Sequence, residues 1–288
     1  LPNLPVRRIL SSPAGTRGVR IAVAEGAQVR ELEWVPGQTS GWLPTRESVL
    51  AIELELRRAV GLQLETGITA VAASGDAVYA GTGDGRLFVS LDAGRNWRSF
   101  ASTGAGRVER IIADPADRNF ALAALSGESG ARVLRTLNAG GFWDDLTANL
   151  PAGPAYGVAA DRATGGLYLA TSTGLYYTVA DLRAPAPATA WTSVSAGLPE
   201  GVVRDVRIDD AGHVLLAAVE GHGVFSTPAP HRARQPRVVN TFDMRAGAAA
   251  PGALLSVLGA QVRSATVNQR NVPVLDSNEA ESQIQIPF

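Results

Sequence analysis

Residues Ile68 to Phe100 read ITAVAASGDAVYAGTGDGRLFVSLDAGRNWRSF, and the punctuation of this stretch decides the fold. An apolar run over Ile68–Ala73 stops at Gly75-Asp76. A second run, Ala77–Gly81, stops in a glycine-rich turn over Thr82–Gly85. A third, Arg86–Ser90, stops in a turn holding Asp92 and Gly94, and a fourth run begins at Trp97. Short runs rich in β-branched and apolar residues, separated by Gly and Asp, are strands joined by tight turns.

The same order of runs and turns returns over Val108–Leu146, again from Ala155 to a closing Trp191, and finally over Val202–Thr227. The small residue near the end of each second strand falls at Ala80, Ala123, Ala170 and Ala217, at spacings of 43, 47 and 47. Four strands in about 45 residues is the size of one propeller blade, a unit that buries its faces only against neighbours. A weaker unit lies upstream, with strands expected at Val6–Ser12, Val19–Glu25 and Ala27–Trp34. Internal units end in Leu-Pro, at Leu150-Pro151 and Leu198-Pro199, and the chain opens LPNLP. That phase predicts the tail of a preceding unit, so five blades are expected as a minimum for the parent protein.

Between these units, Gly37–Glu65 is ambiguous. Ile52, Leu54 and Leu56 alternate with Glu53, Glu55 and Arg57, which reads as a strand; Glu47–Val60 also reads as a short amphipathic helix. The strand is the preferred expectation. At the other end, residues 228–237 are rich in Pro and Arg without apolar periodicity and read as a solvated linker. The expected organisation is therefore propeller repeats over 1–228, a linker over 229–237 and a small β-sandwich-like module over 238–288.

Composition agrees with an all-β chain: 288 residues, 45% hydrophobic and 18% charged, with 31 glycines and 17 prolines. The net charge of −1 supplies no general pull towards nucleic acid or an anionic membrane. With no cysteine there is no disulfide, thiolate metal site or cysteine nucleophile. All 26 basic residues are arginine, which is assigned to coding bias. No apolar run reaches the roughly 18 residues needed to span a bilayer.

Ser90, Asp92, Gly94 and Trp97 form an S-x-D-x-G-x-x-W turn, and Thr136, Asn138, Gly140 and Trp143 repeat it with Thr for Ser and Asn for Asp. The short carboxylate or amide accepts backbone N–H bonds, the glycine permits a positive φ, and the tryptophan supplies an apolar wedge. These residues are structural. The repeats resemble the BNR/Asp-box propellers, among them sialidases, xyloglucan-cleaving glycoside hydrolases, sortilin-type receptors and photosystem II stability factors. The resemblance runs from about Leu4 to Thr227; it implies a propeller and does not choose among those functions. The chain's end resembles a C-terminal module of secreted acidobacterial proteins, through Val239-Asn240, Ala250-Pro251-Gly252, Leu254–Gly259, Val267–Val274 and Gln283–Phe288. It departs at Asn268–Asn271, where that family favours a glycine-containing turn. The resemblance implies a secreted or cell-surface protein.

A sialidase would need an arginine trio, a Tyr–Glu pair and an acid/base group. Val6-Arg7-Arg8-Ile9-Leu10 lacks the aromatic and the proline of the motif that carries the first arginine. A two-carboxylate hydrolase needs facing acids; Asp84, Asp114, Asp161, Asp209 and Asp210 all fall at turns, where carboxylates cap backbone N–H groups. His213, His222 and His231 are too dispersed for a metal site and read as solvated turn residues. Gly81, Gly83 and Gly85 form a turn with no helix after it, so no phosphate cradle is expected. Arg232, Arg234 and Arg237 read as linker charges. No catalytic residue, cofactor or metal is expected. The leading expectation is a non-catalytic extracellular scaffold or binding protein whose propeller loops contact a protein or polysaccharide; the alternative is a glycan-cleaving hydrolase of the Asp-box type.

Overall fold

The computed structural model describes every residue except 1–4, 11–17, 26–27, 35–41, 46–47, 102–105, 195–197, 210–211, 233–236, 244–246, 259–261, 278–280 and 288. The chain forms two compact units, Leu1–Arg232 and Ala233–Phe288. The first is a β-propeller of antiparallel sheets.

Blade 1 comprises β1 (Val6–Leu10), β2 (Val19–Glu25), β3 (Gln28–Trp34) and β4 (Leu43–Pro44), followed by helix α1 (Val49–Leu64). Blade 2 comprises β5 (Ile68–Ser74), β6 (Ala77–Thr82), β7 (Arg86–Ser90) and β8 (Arg98–Ala101). Blade 3 comprises β9 (Val108–Asp114), β10 (Asp117–Leu125), β11 (Val133–Thr136) and β12 (Asp144–Asp145). Blade 4 comprises β13 (Ala155–Asp161), β14 (Gly166–Thr171), β15 (Gly174–Val179) and β16 (Thr192–Ser193). Blade 5 has three strands among the described residues, β17 (Val203–Ile208), β18 (Val214–Val219) and β19 (Gly223–Pro228). Each sheet is a meander with strands in chain order.

Blades cohere by burying sheet faces against one another, and each of four seams has its own apolar cluster. Tyr79, Leu87 and Val89 of blade 2 meet Ile111, Leu134 and Trp143 of blade 3. Leu122 and Leu146 of blade 3 meet Val158, Leu169 and Trp191 of blade 4. Tyr168 and Leu175 meet Val206 and Leu215 of blade 5, and Ala218 of blade 5 meets Val6, Ile9 and Ile21 of blade 1. The four phase-marking alanines are all buried within these layers.

The seam between blades 1 and 2 differs, because α1 touches both. Glu53 receives Arg8 of β1 at 2.7 and 2.8 Å and also pairs with Arg57 one turn along the helix, while the helix packs on β5. This corrects the expected strand over Ile52–Arg57. Its ends are capped as a helix: Ser48 caps Ala51 N–H at 2.9 Å, Glu31 on β3 accepts Val49 N–H at 3.1 Å and Leu50 N–H at 2.6 Å, and Glu65 closes the helix in the left-handed region. A carboxylate at a helix N-terminus satisfies free N–H groups and opposes the dipole. The alternation misleads because it is not a burial pattern. Ile52, Leu54 and Leu62 are exposed, whereas Glu53 and Arg57 face the protein.

The second unit is a small β-sandwich-like module. Its sheet has the order β20 (Arg237–Asn240), β21 (Leu254–Leu258), β25 (Glu281–Gln285), β24 (Val274–Ser277), and a hairpin joins β22 (Ala265–Val267) to β23 (Arg270–Val272). The hairpin turns at Asn268 and Gln269, both with positive φ, so the sequence that departs from the resembled family still makes a two-residue turn. Leu255, Val257 and Ile284 form the core.

The two tryptophan-bearing turns sit in unlike seams. Trp143 is buried, edge-on to Tyr79 of blade 2 at 6.2 Å; Trp97 is only half-buried, in the seam that the helix occupies. Trp143→Ala should therefore cost about 3–5 kcal/mol and Trp97→Ala clearly less, as read from urea unfolding midpoints.

Candidate functional site

In order around the propeller, the inner strands are β5, β9, β13, β17 and β1. Their two ends carry different chemistry. At the starting end, six arginines, Arg7, Arg8, Arg57, Arg107, Arg110 and Arg204, line a cavity of about 250 Å³. Four of them come from the second or third position of an inner strand (Arg7 and Arg8 of β1, Arg110 of β9, Arg204 of β17), where β5 has Thr69 and Ala70 and β13 has Tyr156 and Gly157; Arg107 immediately precedes β9 and Arg57 comes from α1.

Carboxylates partly balance this mouth. Glu53 serves Arg8 and Arg57. Glu220 takes Arg204 at 2.8 Å and Arg7 at 3.7 Å, and Glu109 takes Arg107 at 3.3 Å and Ser126 Oγ at 2.7 Å. Asp205 is buried and turned inward: its two oxygens accept Ile9 N–H at 2.8 Å and Val206 N–H at 3.0 Å, tying blade 5 to blade 1. Burial pushes its carboxyl above the usual range, against the pull of Arg207 and Arg8. Tyr156 is the one aromatic in the lining, and the Arg204 guanidinium covers its ring at 4.5 Å.

At the finishing end, carboxylates alternate with arginines. Asp114 caps Ala116 N–H and pairs with Arg162, which also reaches Asp117 at 3.1 Å. Asp209 caps His213 and Val214 N–H, both at 2.7 Å. Asp161 caps Ala163 N–H at 3.0 Å and receives His231 Nε2 at 2.9 Å and Arg232 at 2.7 Å. Asp84 lies instead at the starting end, on the β6–β7 turn beside the start of β5, where it joins Thr82 and Arg86. Asp210 and Arg234 lie outside the described residues, as does the Arg237 side chain.

His231 corrects the sequence reading of a solvated residue in a linker. Residues Pro230–Arg232 form a short 3-10 turn, and the His231 side chain is fully enclosed. An ionised Asp161 can only accept, so Nε2 carries the proton and Nδ1 accepts from Tyr168 O–H at 2.7 Å, while the His231 N–H donates to that same hydroxyl at 3.1 Å. Burial holds the Tyr168 hydroxyl protonated, pushed up to about 12. Gly166 makes this possible: a Cβ there would lie 2.4 Å from the imidazole. The clasp pins the chain's exit from β19 onto blade 4. Arg232 likewise belongs to this clasp. His213 and His222 are exposed in the turns flanking β18.

The two tryptophan turns contribute no residue to the arginine-lined cavity and are held mainly by bonds among their own residues. In the first, Ser90 Oγ and Asn96 N–H donate to Asp92, each at 2.8 Å, Gly94 N–H donates to Ser90 Oγ at 2.8 Å, and Trp97 Nε1 reaches Gly94 C=O at 3.0 Å. In the second, Thr136 Oγ1 donates to Asn138 at 3.0 Å, which also accepts Phe142 N–H at 2.8 Å, and Gly140 N–H reaches Thr136 Oγ1 at 2.9 Å. Gly140 has φ +74°, and a Cβ there would strike Val89 at 2.3 Å.

Sequence reasoning missed the arginine mouth and the His231 clasp. A signal for the mouth existed, in Val6-Arg7-Arg8, Val108-Glu109-Arg110 and Val203-Arg204-Asp205 at matching repeat phase. None existed for the clasp, whose partners lie 63 and 70 residues apart.

No family model and no curated protein matches the chain. Solved structures similar to it include the computationally designed Ika4 protein, 14% identical over 57% of this chain and 92% of that one at a TM-score of 0.43. A chain of a nidogen/laminin complex is 13% identical over 73% and 74% at 0.43. The GH74 xyloglucanase from Xanthomonas campestris is 17% identical over 98% and 47% at 0.41, so this chain spans about half its length. Likenesses of this degree carry no argument about function; the propeller rests on the strand pairings themselves.

Burial pushes the Asp161 carboxyl up, but hydrogen bonds from His231 and Thr164 and the Arg232 charge outweigh it and hold it at about 2. A folded carboxyl below its unfolded value of about 3.9 stabilises the protein above that pH and loses the contribution as pH falls through 2. Urea midpoints should fall from pH 4 to pH 2, and His231→Ala should flatten that limb.

Proposed function

We propose that this protein is a non-catalytic extracellular scaffold or binding protein built on an Asp-box-type propeller, with the arginine-lined mouth and its surrounding loops as the contact surface. One observation carries the reading: the groups a hydrolase would use at this mouth are already engaged. Asp205 spends both oxygens on backbone N–H groups, Glu109 is held by Arg107 and Ser126, and Arg204 covers the face of Tyr156 on which a sugar ring would stack. A glycosidase needs one carboxyl free to give a proton and another free to attack or activate water.

At the finishing end, Asp114 and Asp161 are committed to caps and ion pairs. Partners of two classes, protein or polysaccharide, suit a rigid frame that presents loops. No helix among the described residues is long and apolar enough to cross a membrane. Secretion or display at the cell surface follows from the resemblance of the C-terminal module.

The test is a polysaccharide panel read twice, by reducing-end release and by retention of the protein on immobilised glycan. Retention without release is the expected outcome. Release of reducing ends, abolished by Glu109→Gln, would replace this reading with the hydrolase.

A further inference from the structure

Four arginines are buried among the described residues: Arg20, Arg110, Arg132 and Arg135. Three have partners: Arg20 pairs with Glu33, Arg132 donates to Leu150 C=O at 2.9 Å, and Arg135 pairs with Asp144. Arg110 is only 5% exposed, its Nε has no hydrogen-bond partner, and it forms no ion pair with a described residue. A buried guanidinium without a counter-charge costs several kcal/mol, yet this one lines the mouth.

Its neighbours in the cavity repeat the pattern in part. Arg57 and Arg204 each engage a carboxylate through Nη2, and each leaves a buried Nε without a partner. All three residues, from α1, β9 and β17, line one cavity of about 250 Å³. That volume lies below the ~300–1,000 Å³ of sites for drug-sized ligands, so it fits a single small group. Six lining arginines meet two lining carboxylates, Glu109 and Asp205, and two more behind the lining, Glu53 and Glu220, which leaves an excess of two positive charges over this set.

We propose that this mouth is a binding site for a tetrahedral oxyanion, a sulfate or phosphate group, with Arg110 as its principal ligand and Arg57 and Arg204 beside it. Charge and directionality both point there. Two excess positive charges match a doubly charged group, and three terminal oxygens can accept from donors approaching along different walls, which a planar carboxylate does less well. The group enters as the free ion or as an ester on a saccharide. The inference rests on reading this mouth as the contact surface and adds the chemistry of what it contacts.

The experiment is calorimetric titration and thermal unfolding of the full chain, at constant ionic strength set with sodium chloride, with sulfate, phosphate, acetate and a sulfated oligosaccharide. Sulfate and phosphate should bind saturably, about tenfold or more tighter than acetate. Arg110→Met should lose that binding by a similar factor while its ligand-free Tm stays level or rises, since a buried uncompensated charge is replaced by an apolar chain of similar volume. Arg204→Gln should weaken binding as well, and Arg95→Gln, which removes an equal charge from an exposed turn, should leave it intact. Tighter binding of the sulfated oligosaccharide than of sulfate assigns the group to a glycan, and binding of the free ion alone assigns it to the ion; either outcome keeps the site. Acetate matching sulfate, an unchanged response in Arg110→Met, or a drop in that variant's ligand-free Tm overturns it. Saturable sulfate binding together with glycan turnover would keep the anion site and remove only the non-catalytic reading.

Discussion

The structure depends on apolar contact between adjacent sheets. A four-stranded meander has two faces and too few residues to bury either alone, so each blade is stable only as a neighbour. Four of the seams are closed by aliphatic and aromatic clusters, with small alanines among them. Trp143 and Trp191 extend two of them: Trp191 donates its Nε1 to Leu146 C=O at 2.8 Å, and its backbone exchanges two hydrogen bonds with Asn149 of the preceding blade. The wedge thus carries a polar anchor as well as buried area.

The remaining seam is built differently and sets the character of the mouth beside it. Blades 1 and 2 are joined through α1, and the joint is ionic at its inner edge, where Arg8, Glu53 and Arg57 meet. This seam brings two arginines and a glutamate to the mouth. Blade 5 adds Arg204 and Asp205, and blade 3 adds Arg110. The opposite end draws on the same residue types with the reverse result, because there the carboxylates sit in turns, take N–H groups first, and then hold Arg162, His231 and Arg232 in place.

His231 illustrates how a polar network replaces apolar packing where the chain leaves the propeller. The segment after β19 offers few apolar side chains, and among the described residues from 229 to 232 Ala229 is the buried one. A hydroxyl, an imidazole and a carboxylate in sequence, each with its donors and acceptors matched, fix that exit as firmly as a hydrophobic plug, provided every member is satisfied. Asp161 is the member that titrates in the acid range.

The sequence by itself determined the blades. Alternating runs between Gly and Asp turns, repeated at one phase, are local signals, and the strands at Ile68–Ser74, Ala77–Thr82 and Arg86–Ser90 stand where the turns put them. It also contained most of the Ser90–Trp97 turn, since the bonds among its own residues span four residues or fewer, while Asp76 and Gln63 reach it from outside. Tertiary structure decided the rest. The strand-like alternation over Ile52–Arg57 became a helix because capping residues at both ends satisfied its backbone and Glu53 and Arg57 turned inward to Arg8. Arg8, Arg57, Arg110 and Arg204, up to 196 residues apart, became one site only when three inner strands and a helix converged on it. Periodicity records which backbone bonds are made nearby; it holds no record of which charges neighbouring blades and a helix will bring face to face.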